Sequence, residues 1–258
     1  MNIAVCVKQI PDPSVPGALE DDYTLKREGK LILDESDSYG VEMALQLAEA
    51  VGGGEVTLVS MAPRNEVSGL RTALAMGAAK AILVSDDALS GAGALDTAKV
   101  LSAAISRANP ELVIAATEST DGYTGTVPEQ IAELLGWPSV TFAKHIEVSE
   151  GAVKVQRQTE AGYDDVECPL PAVVSVTAGV VEPRYPSFKG IMSAKSKPVD
   201  ELTVADLGID TDAVGWSGAG QEIVTVDAAE VRKAGEKIED DGEAHAKVIE
   251  FLERLKVI

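Results

Sequence analysis

Residues 116–127 form the segment whose residue types most clearly suggest chemistry. They are rich in hydroxyl side chains and glycine, follow a buried apolar run, and precede a helical pattern that opens at Pro128. Backbone N–H groups in such a turn can reach a phosphate, and the N-terminus of the next helix adds a favourable field. A proline fits in the first helical turn because its missing N–H would have no partner there. The pattern predicts a nucleotide-binding loop, with an ordinary capped turn as the alternative.

Residues 180–197 form a second segment of interest, which mixes prolines, basic residues and large apolar residues. Four of the chain's 22 lysine and arginine residues lie in it. Its first part, with Tyr185 and Phe188, lacks the periodicity of a buried helix. Aromatic residues, methionine and arginine are enriched in protein interfaces, so this composition predicts a partner-binding surface. A loop that folds back onto its own core is the alternative.

Familiar catalytic and metal-binding motifs are missing from the sequence. The first apolar run is followed by residues 8–13 without a GxGxxG fingerprint, and no GxxxxGK[ST] loop occurs. His145 and His245 are too few and too isolated for a metal site, and Cys6 and Cys168 form no CxxC pair. We therefore expect a binding protein rather than an enzyme.

Composition excludes further classes of function. The chain carries 42 acidic and 22 basic residues, a net charge of −20, which disfavours binding to nucleic acid. No stretch approaches the ~18 apolar residues of a membrane span, so we expect no membrane insertion. Two well-separated cysteines suit a reducing compartment. We expect a cytoplasmic protein without a targeting segment.

Strand and helix patterns alternate along the first 140 residues. Short apolar runs predict buried strands, whereas apolar residues spaced by three and four predict helices. The predicted strands are residues 2–7, 56–60, 81–84 and 112–116. The helical stripes lie in residues 41–48, 67–74, 98–108 and 131–135. This alternation predicts an α/β fold, in which a parallel sheet is flanked by helices.

The connection between the first strand and the first helix is unusually long. The strand should end near Val7 and the helix should begin near Ser38, which leaves roughly thirty residues against the usual 2–6. Residues 24–26 and 31–33 are predicted to pair as a small hairpin within it. Long loops at the carboxyl ends of strands commonly carry function, so this one is expected to serve a site.

The second half of the chain follows a different pattern. Period-two alternation in residues 146–148, 153–155 and 163–167 predicts an antiparallel meander on the edge of the sheet. Residues 172–176 predict another buried strand, and residues 204–207 a short helical stretch. An apolar helical stripe lies in residues 245–255, beyond a polar spacer. We expect a domain of residues 1–200, followed by a linker and arm of residues 201–258.

Several motifs, in this order along the chain, resemble the β subunits of electron-transfer flavoproteins. The resemblance covers essentially residues 1–200, and the tail less closely. The motifs are Val5-Cys6-Val7-Lys8-Gln9, residues 73–78, Asp121 with Thr124-Gly125, and Glu182-Pro183-Arg184-Tyr185 followed by Ile191-Met192 and Ala194-Lys195.

The resemblance implies an adenine-nucleotide-binding domain of the α-hydrolase-like or Rossmann-like type. The chain would be an electron carrier subunit, not an enzyme, and would pair with an α subunit that holds most of the FAD. The arm of residues 201–258 would dock on that subunit. Electrons would arrive from acyl-CoA or other flavin dehydrogenases, as in fatty acid β-oxidation, and leave to a membrane quinone oxidoreductase.

The resemblance also implies particular site residues. Those expected to contact AMP are Cys6, Asp34, Glu35, Ser36, Asp37, Met61, Ala116, Thr117, Glu118, Ser119, Thr120, Asp121, Gly122, Tyr123, Thr124, Gly125, Thr126 and Val127. The acidic residues among positions 34–37 would face adenine or ribose rather than phosphate. A loop around Phe188 would dock the dehydrogenase, and the residues expected there are Arg184, Tyr185, Phe188, Lys189, Ile191 and Met192.

One departure from the family pattern keeps an alternative open. Many relatives carry Asn-Gln after the loop aspartate, where this chain has Gly122-Tyr123. The site could therefore hold AMP or, as in bifurcating relatives, a second FAD. A stand-alone nucleotide-binding stress-type protein is another reading of the same sheet. A hydrolase or ligase of the related pyrophosphatase fold is less favoured, because no phosphate loop follows the first strand.

Overall fold

A computed structural model describes residues 1–27, 29–63, 66–227, 229–231, 234–235, 237–240 and 242–258. Its strands are β1 Asn2–Cys6, β2 Gln9–Pro11, β3 Leu31–Leu33, β4 Glu55–Met61, β5 Lys80–Val84, β6 Leu112–Ala116, β7 Ser139–Ser149, β8 Ala152–Thr159, β9 Gly162–Pro169, β10 Ala172–Val176 and β11 Val199–Leu202. Its helices are α1 Glu35–Ala50, α2 Ser68–Met76, α3 Ala94–Ala108, α4 Val127–Leu135, α5 Phe188–Ala194, α6 Gly215–Gly218 and α7 Ala244–Arg254. Single 3₁₀ turns occupy Asp87–Leu89, Ala205–Leu207 and Thr211–Ala213.

The central sheet confirms the predicted α/β fold. Within the described residues its strand order is β11-β5-β4-β1-β6-β10-β7-β8-β9, parallel from β11 to β7. Central strands such as β6 and β10 are buried because both of their faces are covered. One face packs with α1 and α2, and the other with α3 and α4.

The antiparallel meander also lies where the sequence predicted it. Strands β7, β8 and β9 pair antiparallel in succession at one edge of the sheet. At the opposite edge, β11 pairs parallel with β5. This strand was not predicted, because Val199–Leu202 reads Val-Asp-Glu-Leu and has no apolar run or clear alternation.

The hairpin predicted for residues 24–26 and 31–33 is wrong. Strand β3 pairs instead with β2, directly after β1, and Leu25 forms only an isolated bridge with Leu19. The side chain of Gln9 in β2 explains this choice. Buried at 2% exposure, it accepts hydrogen bonds from the backbone N–H groups of Gly69 and Leu70 at 2.9 and 3.3 Å, and so caps α2.

Helix α1 begins earlier than the sequence suggested. Its first residue is Glu35, not Ser38, because Asp34 acts as the N-cap and accepts a hydrogen bond from the Ser36 N–H. The early start brings residues 34–37 to the carboxyl edge of the sheet.

The chain divides into two compact units, residues 1–222 and residues 223–258. The second unit contains α7, predicted from the apolar stripe of residues 245–255. Val248 and Phe251 on this helix are 44% and 46% exposed, and Arg254 lies over the Phe251 ring at 5.4 Å. Docking of the arm on another subunit stays a prediction.

Candidate functional site at the switch point of the sheet

The order of the strands creates a crevice beside β1. The chain passes from β1 to β4 and β5 on one side, and then returns to β6 on the other. Helix α1, which follows β1, and α4, which follows β6, pack on opposite faces of the sheet. Open α/β sheets bind ligands at such a reversal, at the carboxyl ends of the strands. Here Lys8, Arg27 and Asp34 meet Thr120 and Asp121 of the loop after β6.

Asp34 ties the two sides of this crevice together. The side chain is fully buried, and its Oδ1 accepts a hydrogen bond from the Ser36 N–H at 3.0 Å. Its Oδ2 accepts from the backbone N–H and the hydroxyl of Thr120 at 2.7 and 3.1 Å. One carboxylate thus caps α1 and fixes the loop that follows β6.

Asp121 joins the same loop to the long connection after β1. Its carboxylate accepts hydrogen bonds from Lys8 Nζ and Arg27 Nη2, both at 2.6 Å. Lys8 Nζ also donates to the Ser119 hydroxyl at 3.2 Å, and Arg27 Nη1 to the carbonyl oxygen of Gln9 at 3.2 Å. Burial alone would raise the pKa of Asp121, but Lys8 and Arg27 outweigh it and lower that pKa.

Asp37 and Cys6 lie deeper beneath the crevice. Asp37 Oδ2 accepts a hydrogen bond from the Lys8 N–H at 2.5 Å. Burial, followed by the neighbouring Asp34, raises the pKa of Asp37 well above its usual range. Burial and the nearby Asp37 raise the pKa of Cys6 to about 12. Cys6 is therefore a neutral thiol at pH 7, unsuited to act as a nucleophile.

The hydroxyl-rich loop leads into a helix start that carries polar atoms without partners among the described residues. Tyr123 and Gly125 adopt positive φ angles of 50° and 62°, which turn the chain toward α4. Thr126 begins α4 without a side-chain cap to its N–H groups. In the first turn of α4, the buried Oε2 of Glu129 and Oε1 of Gln130 lack hydrogen-bond partners among the described residues. Donated hydrogen bonds from a nucleotide's hydroxyl or amino groups would satisfy such acceptors.

The structure brings several of the predicted site residues together. Direct contacts or close electrostatic coupling join Cys6, Asp34, Ser36, Asp37, Ser119, Thr120 and Asp121. Met61 ends β4 at the same edge, and Ala116 ends β6. Glu35 is exposed. Because both carboxylates of Asp34 and Asp37 bond within the chain, a ligand would meet chiefly the backbone of residues 34–37.

Lys8, Gln9 and Arg27 were missed as site residues. Lys8 offered a signal, since it directly follows a strand that ends in the crevice. Arg27 offered none, because its contact with Asp121 spans 94 residues.

Residues 184–192 form a second candidate surface, called here the docking surface after its predicted role. Tyr185 and Phe188 are 92% and 81% exposed, and Ile191 and Met192 are about half exposed, at 49% and 51%. The expected loop around Phe188 is in fact the start of α5, because the Ser187 hydroxyl caps it by accepting a hydrogen bond from the Gly190 N–H at 3.0 Å.

Two kinds of feature are missing from the described residues. No group of three or more His, Cys, Asp or Glu side chains is arranged to hold a metal ion. No helix in the part of the chain that the structure describes is both long and apolar enough to cross a membrane.

The fold and the crevice define a class, namely parallel α/β proteins that bind a ligand at the switch point of the sheet. Comparison with known proteins narrows this class to one family. The electron transfer flavoprotein domain matches residues 22–207. The chain is 42% identical to an electron transfer flavoprotein subunit beta from Mycobacterium leprae, over all of this chain and 99% of the relative. It is 40% identical to the Mycobacterium bovis protein of the same name, with the same coverage.

A relative with a different name is a subunit, CarD, of the caffeyl-CoA reductase-Etf complex of Acetobacterium woodii. It is 34% identical over 92% of each chain. The chain therefore belongs to the family of electron transfer flavoprotein β subunits. Members of this family are electron carriers associated with flavin, and the subunit name implies pairing with an α subunit.

Proposed function

We propose that this chain binds AMP in the crevice, completes the FAD site of a cytoplasmic heterodimer with its α subunit, and docks flavin dehydrogenases. The observation that carries the proposal is the crevice itself, where a hydroxyl-rich loop faces the N-terminus of α1 at the switch point. Family membership supports the pairing with an α subunit and a flavin. The free, buried Cys6 and Cys168 suit a reducing compartment.

In the crevice, the chain's own residues would bind and orient the nucleotide. Backbone N–H groups of residues 124–126 and the N-terminus of α4 would supply donors for a phosphate, since the N–H groups of Thr120 and Tyr123 already donate within the chain. Lys8 and Arg27 lend positive charge, although Asp121 neutralises part of it. Asp34 and Asp37 hold α1 against the loop after β6 and the end of β1 through the hydrogen bonds that they accept. FAD, when bound with the α subunit, would supply the redox chemistry.

The docking surface would receive the dehydrogenase. Phe188 and Tyr185 offer apolar area that the described residues leave uncovered, which is the usual form of a binding hot spot. Lys189 beside them would steer acidic partners. Acyl-CoA dehydrogenases or other flavin dehydrogenases would donate electrons here, and a membrane quinone oxidoreductase would accept them from the reduced heterodimer.

The C-terminal arm would strengthen the heterodimer. Helix α7 carries exposed apolar residues, and their burial on the α subunit would stabilise assembly. Deleting residues 223–258 should leave the melting temperature of the remaining unit nearly unchanged and weaken binding of the α subunit. Unchanged affinity of the truncated chain would exclude this role for the arm.

The main test is co-expression with the α subunit, followed by purification of a yellow heterodimer. Denaturation should release FAD and AMP in a ratio near one to one. Release of two FAD and no AMP would place the chain with the bifurcating type, an alternative motivated by Gly122-Tyr123 in the loop. A protein that binds nucleotide but forms no heterodimer would instead be a stand-alone nucleotide binder, and loss of both nucleotides would exclude the site.

A further inference from the structure

Glu42, in the middle of α1, binds Arg184 at the start of the docking surface. It is only 3% exposed, yet its Oε2 accepts a hydrogen bond from Arg184 Nε at 2.6 Å and its Oε1 one from Arg184 Nη2 at 3.1 Å. The Arg184 N–H also donates to Oε2 at 3.2 Å. This two-pronged pairing is the strong and geometrically specific form of a carboxylate–guanidinium contact. Arg184 Nη1 donates to the exposed Glu49 at 3.0 Å.

The carboxylate of Glu42 is charged when it contacts Arg184. Burial alone would raise the pKa of Glu42, but hydrogen bonds from Arg184 and from Gln46, the latter at 2.7 Å, lower that pKa below its ordinary value. A buried carboxylate keeps its charge only when it is paired in this way. The pair is therefore present at neutral pH.

The other end of the segment is anchored on α2. Arg71 Nη1 donates to the carbonyl oxygens of Ala194 and Lys197 at 2.7 and 2.8 Å. At Gly190 an added Cβ would lie 2.4 Å from the carbonyl oxygen of Ala75, so α5 approaches α2 as closely as a glycine allows. The backbone that presents the docking surface is thus fixed on both sides, by α1 and by α2.

We propose that Glu42 is a positioning residue for partner docking, because from within α1 it holds Arg184 and so fixes the backbone that presents Tyr185 and Phe188. The inference rests on the proposed docking role of this surface. A fixed backbone loses less conformational freedom when a partner binds. Since Glu42 is buried, it does not touch a partner, and its effect on docking must pass through Arg184.

The test uses the heterodimer and an acyl-CoA dehydrogenase reduced by its acyl-CoA substrate. Glu42→Gln should raise the KM for this donor about 10-fold. This corresponds to roughly the conformational free energy of fixing the backbone of one residue, which the variant would lose when the partner binds. The kcat should stay unchanged, because no group near the crevice is altered. Glu49→Gln is the matched control, since it removes only the exposed ion pair of the same arginine. The KM of this variant should change less than about 2-fold.

A double-mutant cycle separates positioning from a general loss of stability. In a background that carries both Tyr185→Ala and Phe188→Ala, Glu42→Gln should add less than about 2-fold to the KM, because both presented side chains are already gone. A full 10-fold increase in that background would overturn the inference. Arg184→Lys keeps the charge but loses the two-pronged bond, so it should reproduce the effect, and it serves if Glu42→Gln fails to fold.

Hydrogen exchange tests the clamp without any dehydrogenase. Amides of residues 185–192 should exchange about 10-fold faster in Glu42→Gln and Arg184→Lys, and at the normal rate in Glu49→Gln. Unchanged exchange would overturn the positioning role, even if Phe188→Ala weakens docking. Faster exchange with a normal KM in Phe188→Ala would instead exclude docking at this surface.

Discussion

The crevice and the docking surface arrange their functional residues in opposite ways. In the crevice, Asp34, Asp37 and Asp121 are engaged by donors across it or beneath it. On the docking surface, the buried Glu42 lies underneath and holds Arg184, and Tyr185 and Phe188 project into solvent. The candidate ligand site is thus built from residues whose hydrogen bonds also stabilise the fold. The candidate partner site instead has apolar side chains that make few contacts within the chain. Substitutions in the crevice should therefore cost stability, and substitutions on the docking surface should cost docking alone.

Asp34→Ala should have the largest effect. It leaves the Ser36 N–H and both donors of Thr120 without their acceptor. The loss of a helix cap costs about 1 kcal/mol and buried unpaired donors about 1–3 kcal/mol more. We expect the melting temperature to fall by roughly 6–12 °C, together with the AMP content of the heterodimer. Glu35→Ala, in the same turn but exposed, is the control. A stable Asp34→Ala variant would show that the crevice does not depend on this bridge.

Phe188→Ala should weaken docking without affecting stability. Burying this ring on a partner would contribute roughly 2–3 kcal/mol, so the KM for the reduced dehydrogenase should rise about 30- to 150-fold. The melting temperature and the FAD and AMP contents should stay unchanged, because the ring is 81% exposed. Leu95→Ala, which removes a 52% exposed apolar side chain on α3, is the matched control. Normal kinetics with a lowered melting temperature would mean that Phe188 serves the fold instead.

The sequence was sufficient for the parts of the fold in which local pattern and burial agree. Strands such as Leu112–Ala116 are apolar throughout because both faces of the sheet are covered, so the run itself identifies them. The partner of Leu31–Leu33 could not be found in this way. Its pairing with Gln9–Pro11 depends on the buried cap that Gln9 supplies to α2, a contact about sixty residues along the chain.

The two candidate regions also contain parts that a local sequence pattern predicted and parts that it did not. The hydroxyl-rich loop was proposed because it follows a recognisable strand, whereas residues 34–37 were implied only by the family resemblance, and the binding role of both stays a prediction. The contacts that lock them, from Lys8 and Arg27 to Asp121, span 113 and 94 residues and have no local signature. Helix α5 was missed because seven largely exposed residues show no burial period, although Ser187 was a usable cap signal.

Arg27→Ala should cost about 1 kcal/mol, since its bond to Asp121 is charge-assisted but partly exposed. The melting temperature should fall by about 2–4 °C. The long connection after β1 should also be cut faster by proteases, because Arg27 anchors it to the crevice. Lys30→Ala, exposed in the same connection, is the control. Equal proteolysis of both variants would mean that Arg27 does not hold the connection in place.

Asp121→Asn should have the smallest effect on stability, and that effect should depend on pH. Lys8 and Arg27 lower the pKa of Asp121 in the folded protein against the opposing effect of burial. A carboxyl with a lowered folded pKa contributes stability above its unfolded pKa, about 3.9, and loses it as the pH falls through the folded value. The free energy of unfolding of the wild-type protein should therefore exceed that of Asp121→Asn near pH 6. The difference should be under about 1 kcal/mol, because water screens the partly exposed cations.

The difference between these two proteins should vanish as the pH falls below about 4. Melting curves of both between pH 6 and pH 3 measure it. The gap should shrink at every pH in an Arg27→Ala background, since one of the two cations is then missing. Phe188→Ala should follow the wild-type curve throughout, because the docking surface contributes no bond to the crevice. A gap that does not shrink between pH 4 and pH 3, or one that also appears between the wild type and Phe188→Ala, would contradict the separation between the two regions.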